Sequence, residues 1–258
     1  MESPVSRKIE NPFCHVADSD LLAFTTTFHP AFPREVRDLV YTAILDKPTI
    51  DLLTSCTQPG IDDYPWHYTA RTEADWPRYI RRGLVHSAVA TELIEIFYEV
   101  YPNFQVSFPA QIANLLNEDF FKMGVTPAHG KISRLRVNGR LDDGHMDFVD
   151  IGKLREHFAP LLCGGQKWAK NRFELFVRFE LSIRNEMKYS TIIARLAAKI
   201  KAVLAALQSV FRSVMARGGK SYLRFFVARQ ELAVIGHMAD TQAQWVEAIK
   251  RLLDRESF

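Results

Sequence analysis

Between Met187 and Met215 the apolar residues Tyr189, Ile193, Leu196, Ile200, Val203, Leu207, Val210 and Val214 recur at alternating four- and three-residue steps. The pattern holds for almost four heptads and leaves a single narrow apolar stripe on an otherwise polar rod. It predicts one long amphipathic helix over about 187–216, ended by Gly218–Gly219. Such a helix either zips against a partner helix or packs along a sheet of its own domain, and the second arrangement is the commoner. A fold that contains it must offer an equally long apolar surface.

Strand signals stand on both sides of that helix. "RFELFVRFELSI" (172–183) alternates with period two, placing Phe173, Leu175, Val177, Phe179 and Leu181 on one face. "YLRFFVAR" (222–229) reads as another strand, and "KISRLRV" (131–137) as a third with imperfect alternation. "NFQVSF" after Pro102 reads as a short strand, with a short helix at 111–117. Ile151 to Leu162 is expected to be helical, 139–150 to be a loop, and Thr241 to Asp254 to form a last amphipathic helix. Strands separated by helical crossovers favour parallel neighbours. The predicted fold class is therefore α+β (mixed α/β), with helices alternating with a few short strands. No fixed period of 20–30 residues runs through the chain, which excludes a regular solenoid.

Toward the front, residues 1–30 read as an irregular arm preceding one domain over 31–258. A helix is expected over Phe32 to Leu45, "FPREVRDLVYTAIL". Pro33 suits its first position, where a missing N–H costs nothing, and Val36, Leu39, Val40, Ala43 and Ile44 give the helical spacing. Residues 46–80, rich in Pro, Thr and Asp, read mostly as loop. Leu84 to Val100 reads as a second helix, with Val85, Val89, Leu93, Ile94 and Phe97 on one face.

Composition narrows the function classes. Residues 1–150 hold 14 Lys and Arg against 21 Asp and Glu (net −7), and residues 151–258 hold 19 against 9 (net +10). The basic half suits an acidic partner, nucleic acid, or the acidic half of its own chain. No run of about 18 apolar residues occurs, so no membrane span is expected, and no secretory signal pattern opens the chain. Three scattered cysteines, Cys14, Cys56 and Cys163, fit reduced thiols in a cytoplasmic or nuclear protein.

The chemistry-bearing motifs are incomplete. "RGGKS" (217–221) contains Gly-Lys-Ser, but a phosphate loop needs a glycine where Val214 stands, and a strand before it rather than a helix. "DDGHMDFVD" (142–150) lacks EF-hand spacing and reads as a solvated acidic turn. The eight histidines form no zinc pattern, and no catalytic elbow or dinucleotide fingerprint occurs, so no cofactor or metal is expected. An enzyme site assembled from distant residues stays open. In the basic half, Arg172, Arg178 and Arg184 occupy the polar face of their strand, with Lys199 and Arg224 nearby. Trp168 and Phe176 are aromatics of the kind that stack on bases. These residues are the candidates for a nucleic-acid surface.

The segment "FPREVRDLVYTAIL" resembles the LP-x-E-[ILV]-R-x-x-[IV]-[YW] helix of a large set of fungal proteins with an F-box-like domain. Phe32 stands where that family usually has Leu, followed by Pro33, Glu35, Val36, Arg37, Val40 and Tyr41. "ATELIEIFYEVYPNFQV" (90–106) resembles the family's next segment through Glu92, Phe97, Tyr98 and Phe104. The likeness spans roughly residues 28–138, and residues 46–80 depart from it by lacking clear second and third helices. The resemblance implies a docking function: an adaptor or interaction module whose helix binds Skp1 and so joins a ubiquitin ligase. The contact residues it implies are Phe32, Pro33, Val36, Leu39, Val40 and Ile44. An apolar helix of this kind fills a partner's groove with anchors at i, i+3, i+4 and i+7, or else packs on its own core. The sequence leaves both open.

Overall fold

A computed structural model describes residues 17–57, 72–101, 104–129, 132–141, 149–162, 173–181, 189–227, 230–234 and 251. Its centre is a five-stranded sheet. The strands β1 (Phe104–Val106), β2 (Arg134–Arg140), β3 (Glu174–Leu181) and β4 (Lys220–Val227) lie side by side in chain order, all parallel. The strand β5 (Gln230–Val234) adds to β4 antiparallel. The mixed α+β class expected from the sequence is the class observed.

Seven α-helices accompany the sheet among the described residues: α1 (Asp18–Ala31), α2 (Arg34–Ile44), α3 (Lys47–Thr57), α4 (Ser87–Val100), α5 (Ile112–Asn117), α6 (Leu154–Phe158) and α7 (Tyr189–Ala216). Each parallel step is bridged by a helix: α5 between β1 and β2, α6 between β2 and β3, α7 between β3 and β4. The steps all run the same way along the sheet, and such crossovers share one hand, so their helices collect on one face. Burial agrees. Leu135, Val137, Leu175, Val177, Phe179, Leu181, Leu223 and Phe225 are buried, whereas the residues between them are half-buried or exposed. One face of the sheet is core, and the other is left half-buried or exposed among the described residues.

The long helix is where its stripe predicts it. Ile193, Leu196, Ile200, Val203, Leu207, Val210 and Val214 are buried along α7, which packs on β4 and α6 within the same chain. Gly218, at φ +80°, turns the chain out of the helix. At Gly219 a Cβ would sit 2.8 Å from Val214 Cγ1 and 2.9 Å from the Phe173 carbonyl oxygen, so only glycine lets β4 start so close to α7 and β3. The Gly-Lys-Ser of this segment thus joins a helix to a strand, the reverse of a phosphate loop.

The front of the chain corrects several expectations. Residues 18–31 are not an irregular arm but α1, and 47–57 are not loop but α3, followed by single 3-10 turns at Glu73–Asp75 and Arg78–Ile80. Threonine explains both. The core-facing residues of α1 are Leu21, Thr25 and Phe28, and those of α3 are Thr49, Leu53 and Thr57. A buried threonine is read as polar, so the helical period disappears from the sequence. The Thr25 hydroxyl donates to Leu21 O at 2.8 Å and accepts from His86 N at 3.0 Å, which satisfies it in the core. Tyr79 Oη donates to Thr49 Oγ1 at 2.5 Å.

Other departures are smaller. Pro33 is the residue before the helix rather than its first residue, and α2 runs from Arg34 instead of Phe32. α4 starts at Ser87, three residues later than its apolar spacing suggests. Gly139 and Arg140 belong to β2, not to a loop. The 151–162 helix is broken into α6 and two 3-10 turns. The strand β5 was not expected. The acidic stretch 142–148, Cys14, Cys163, Trp168, Arg172, Arg184 and the helix expected at 241–254, apart from Arg251, lie outside the described residues.

Candidate functional site

The helix α2 carries two chemistries on two faces. Arg34, Arg37 and Tyr41, spaced at three and four residues, turn toward α4 and meet the side chain of Glu92 there. Arg37 grips both carboxylate oxygens, Nε to Oε2 at 2.8 Å and Nη2 to Oε1 at 2.6 Å. Tyr41 Oη donates to Oε2 at 2.8 Å, Arg34 Nη1 lies 3.2 Å from Oε1, and His29 Nε2 lies 3.3 Å from it. Glu92 is only 9% exposed, so its charge is held by partners instead of water. Burial pushes the Glu92 carboxyl up, but hydrogen bonds from Arg37 and Tyr41 and the charges of Arg34 and Arg37 outweigh it and hold the pKa down to about 2. Tyr41 is raised well above the usual phenol range by burial and by its bond to Glu92. Arg37 Nη1 also donates to the carbonyls of His29 (3.0 Å) and Phe32 (2.5 Å), which fixes the corner between α1 and α2.

The apolar residues of the same helix divide. Leu39 is 73% exposed, Phe32 45% and Val36 38%, and Pro33 is exposed beside them. Val40 and Ile44 instead turn inward, half-buried against a core that includes Tyr41 and Leu45. Of the six residues predicted to meet a partner, four face outward and two pack on the chain's own core. An aromatic series extends the outward patch onto α1. Phe28, buried, stands 5.5 Å from Phe24 and 5.3 Å from Phe32, ring centre to ring centre, and Phe24 is itself 53% exposed. Phe24 escaped the sequence reading because α1 was not recognised as a helix.

A second surface lies on the open sheet face. Arg178 and Arg224, both predicted as basic contact residues, are register neighbours on β3 and β4 and both are exposed. Lys199 does not join them. It sits on α7, across the sheet on the helical side, and its Nζ donates to Leu141 O at 3.3 Å. Helical periodicity in α7 directs the residue away from the strands' polar face. The structure adds Arg134, Arg136, Arg140, Lys220 and Tyr222 to this face, all at positions in phase with Arg178. Strand alternation alone would have found them once the parallel register was known.

Clefts open on the surface formed by the described residues. One, of about 230 Å³, lies on the open sheet face between Gln105, Asn138, Arg140, Arg178 and Glu180. Another, of about 440 Å³, lies beside the start of α4, lined by Ile80, Val85, Ala90 and Met123. Neither is lined by cysteine or histidine. Among the described residues no three of His, Cys, Asp and Glu converge as a metal site would require. No helix among them is long and apolar enough to cross a membrane. No family model matches the chain, and no curated protein or solved structure matches it significantly.

Proposed function

We propose that the chain is a non-enzymatic interaction module of the cytoplasm or nucleus, an adaptor that docks a partner on the outward faces of α1 and α2. The observation that carries this reading is the exposure of Leu39 and Val36 on a helix pinned by the Arg37–Glu92 pair, with Phe32 exposed at the corner just before it. Large apolar side chains held exposed on a rigid element mark interaction sites more often than chance solvent contact. They are also pre-ordered, which lowers the entropy cost of binding. Val36 and Leu39, three residues apart on α2, share one outward helix face that suits an apolar groove, and Phe32 adjoins it from the preceding corner. The F-box-like resemblance of the segment makes Skp1 the first partner to try.

Co-purification of the chain with Skp1, alongside a Val36→Asp/Leu39→Asp variant, tests the reading. Both substituted residues are exposed, so the variant keeps the wild-type circular dichroism. Binding by wild type and none by the variant supports docking through α2. Equal binding by both removes α2 as the docking element, and no binding by either removes Skp1 as the partner.

A further inference from the structure

The open face of the sheet is chemically ordered in rows across the strands. One central row reads Gln105, Arg136, Phe176, Tyr222 and the next reads Asn138, Arg178, Arg224. The flanking rows are Arg134, Glu174, Lys220 and Arg140, Glu180, Phe226. Both described acids of β3 on this face therefore sit in the flanking rows, each beside an arginine. Arg134 Nη2 reaches Glu174 at 2.6 Å, and Arg140 Nε lies 3.8 Å from Glu180. The central rows hold three arginines, two amides and two aromatic rings, with no acid. Arg178 and Arg224 stand directly opposite one another, an arrangement of like charges that costs stability in a sheet.

Phe176 and Tyr222 stack at 4.5 Å with their planes 11° apart, making a two-ring block in the middle of the basic rows. Beside it lies the cleft lined by Gln105, Asn138 and Arg178, and among the described residues no donor meets the buried Asn138 Oδ1. A buried amide oxygen left unpaired costs free energy that an incoming N–H recovers. Phosphate-binding cations, an aromatic block and an amide seeking a donor together are the chemistry of a base and its phosphate.

We propose that this face binds single-stranded nucleic acid, with phosphates on Arg136, Arg178 and Arg224, a base against Tyr222 and an amino or imino group on Asn138. The inference is independent of the docking reading, because the residues involved share no side chain with α1 or α2. Charge complementarity argues for a polyanion, and the aromatic block and unpaired amide argue for a base-bearing one over an acidic peptide.

The test is fluorescence anisotropy of the full chain with a labelled oligothymidylate of roughly 20 nucleotides, competed by duplex DNA of equal length and by polyglutamate. Three phosphate contacts predict a loss of roughly 20-fold in affinity between about 50 and 200 mM salt. Arg136→Gln/Arg224→Gln lowers the logarithmic salt slope by about 1.4. Tyr222→Leu weakens binding about fivefold or more, while Tyr222→Phe retains it. Arg212→Gln, on the opposite layer, leaves binding unchanged. Circular dichroism confirms that each variant is folded. Absence of saturable binding overturns the proposal. So does polyglutamate competing as well as the oligonucleotide, which makes the face a site for acidic protein, and so does indifference to both Tyr222→Leu and the arginine pair.

Discussion

Arg37 on α2 and Glu92 on α4, 55 residues apart, share two hydrogen bonds that use both oxygens of one carboxylate. This bidentate geometry fixes the angle between the helices as well as their distance. It also gives Arg37 and Tyr41 a structural role, since Tyr41 bonds the same carboxylate. The residues that make the segment resemble a family are thus partly those that hold it in place, and the residues left facing out are the ones a partner can reach.

Acid should release this latch. Glu92 has a pKa of about 2 in the fold, against about 4.3 for a free glutamate. A depressed folded pKa contributes stability above the unfolded value, and that contribution is lost as pH falls toward the folded value. Glu92→Gln is expected to cost about 1–2 kcal/mol at neutral pH, the lower range for a paired carboxylate because the rim of the cluster is open to water. Urea unfolding of both forms, followed from pH 6 down to pH 2, should show the gap closing below about pH 4.3. A gap that stays constant with pH contradicts the assignment.

Leu39→Asp is expected to leave stability within about 0.5 kcal/mol of wild type, because its side chain is 73% exposed. Leu53→Ala, on the buried side of α3, should cost about 2–5 kcal/mol. Comparing the two midpoints of thermal unfolding separates surface from core in the front helices. Similar losses would mean that Leu39 is buried in solution.

Tyr98 lies fully buried among Phe97, Phe104 and Phe121, and its hydroxyl has no hydrogen-bond partner among the described residues. Burial, with the nearby charges of Asp119 and Glu118, pushes its phenol well above the usual range. Tyr98→Phe removes the unpaired oxygen without changing the ring. The expected result is a gain of about 1 kcal/mol, read by calorimetry as a melting point raised by roughly 3 °C. A marked loss would reveal a partner for the hydroxyl.

Gly139 lies in β2 where a Cβ would come within 2.7 Å of Val149 Cγ2 and 2.8 Å of the Phe179 ring. Gly139→Ala should therefore destabilise by about 1–3 kcal/mol through overpacking, despite alanine's better backbone entropy. Denaturant midpoints decide it, and an unchanged or higher midpoint refutes the tight packing between β2 and β3.

Residue order alone was enough for the elements whose period survives in residue type. The stripe from Ile193 to Val214 specified α7, and the alternation from Phe173 to Leu181 specified β3 and which of its faces is buried. The helical crossovers implied parallel strands, as observed. Where threonine took core positions, at Thr25, Thr49 and Thr57, the period was masked and two helices were read as irregular chain. What faces what came from the packing of the folded chain. It turned Val40 and Ile44 inward and left Val36 and Leu39 outside, and it joined Glu92 to Arg37 and Tyr41. It also set Arg136, Arg178 and Arg224 on one open face while Lys199 went to the other layer. The reason is that local periodicity records whether a residue lies on an apolar or a polar face. The neighbour across an interface depends on register and crossover direction, which are set by residues tens of positions away.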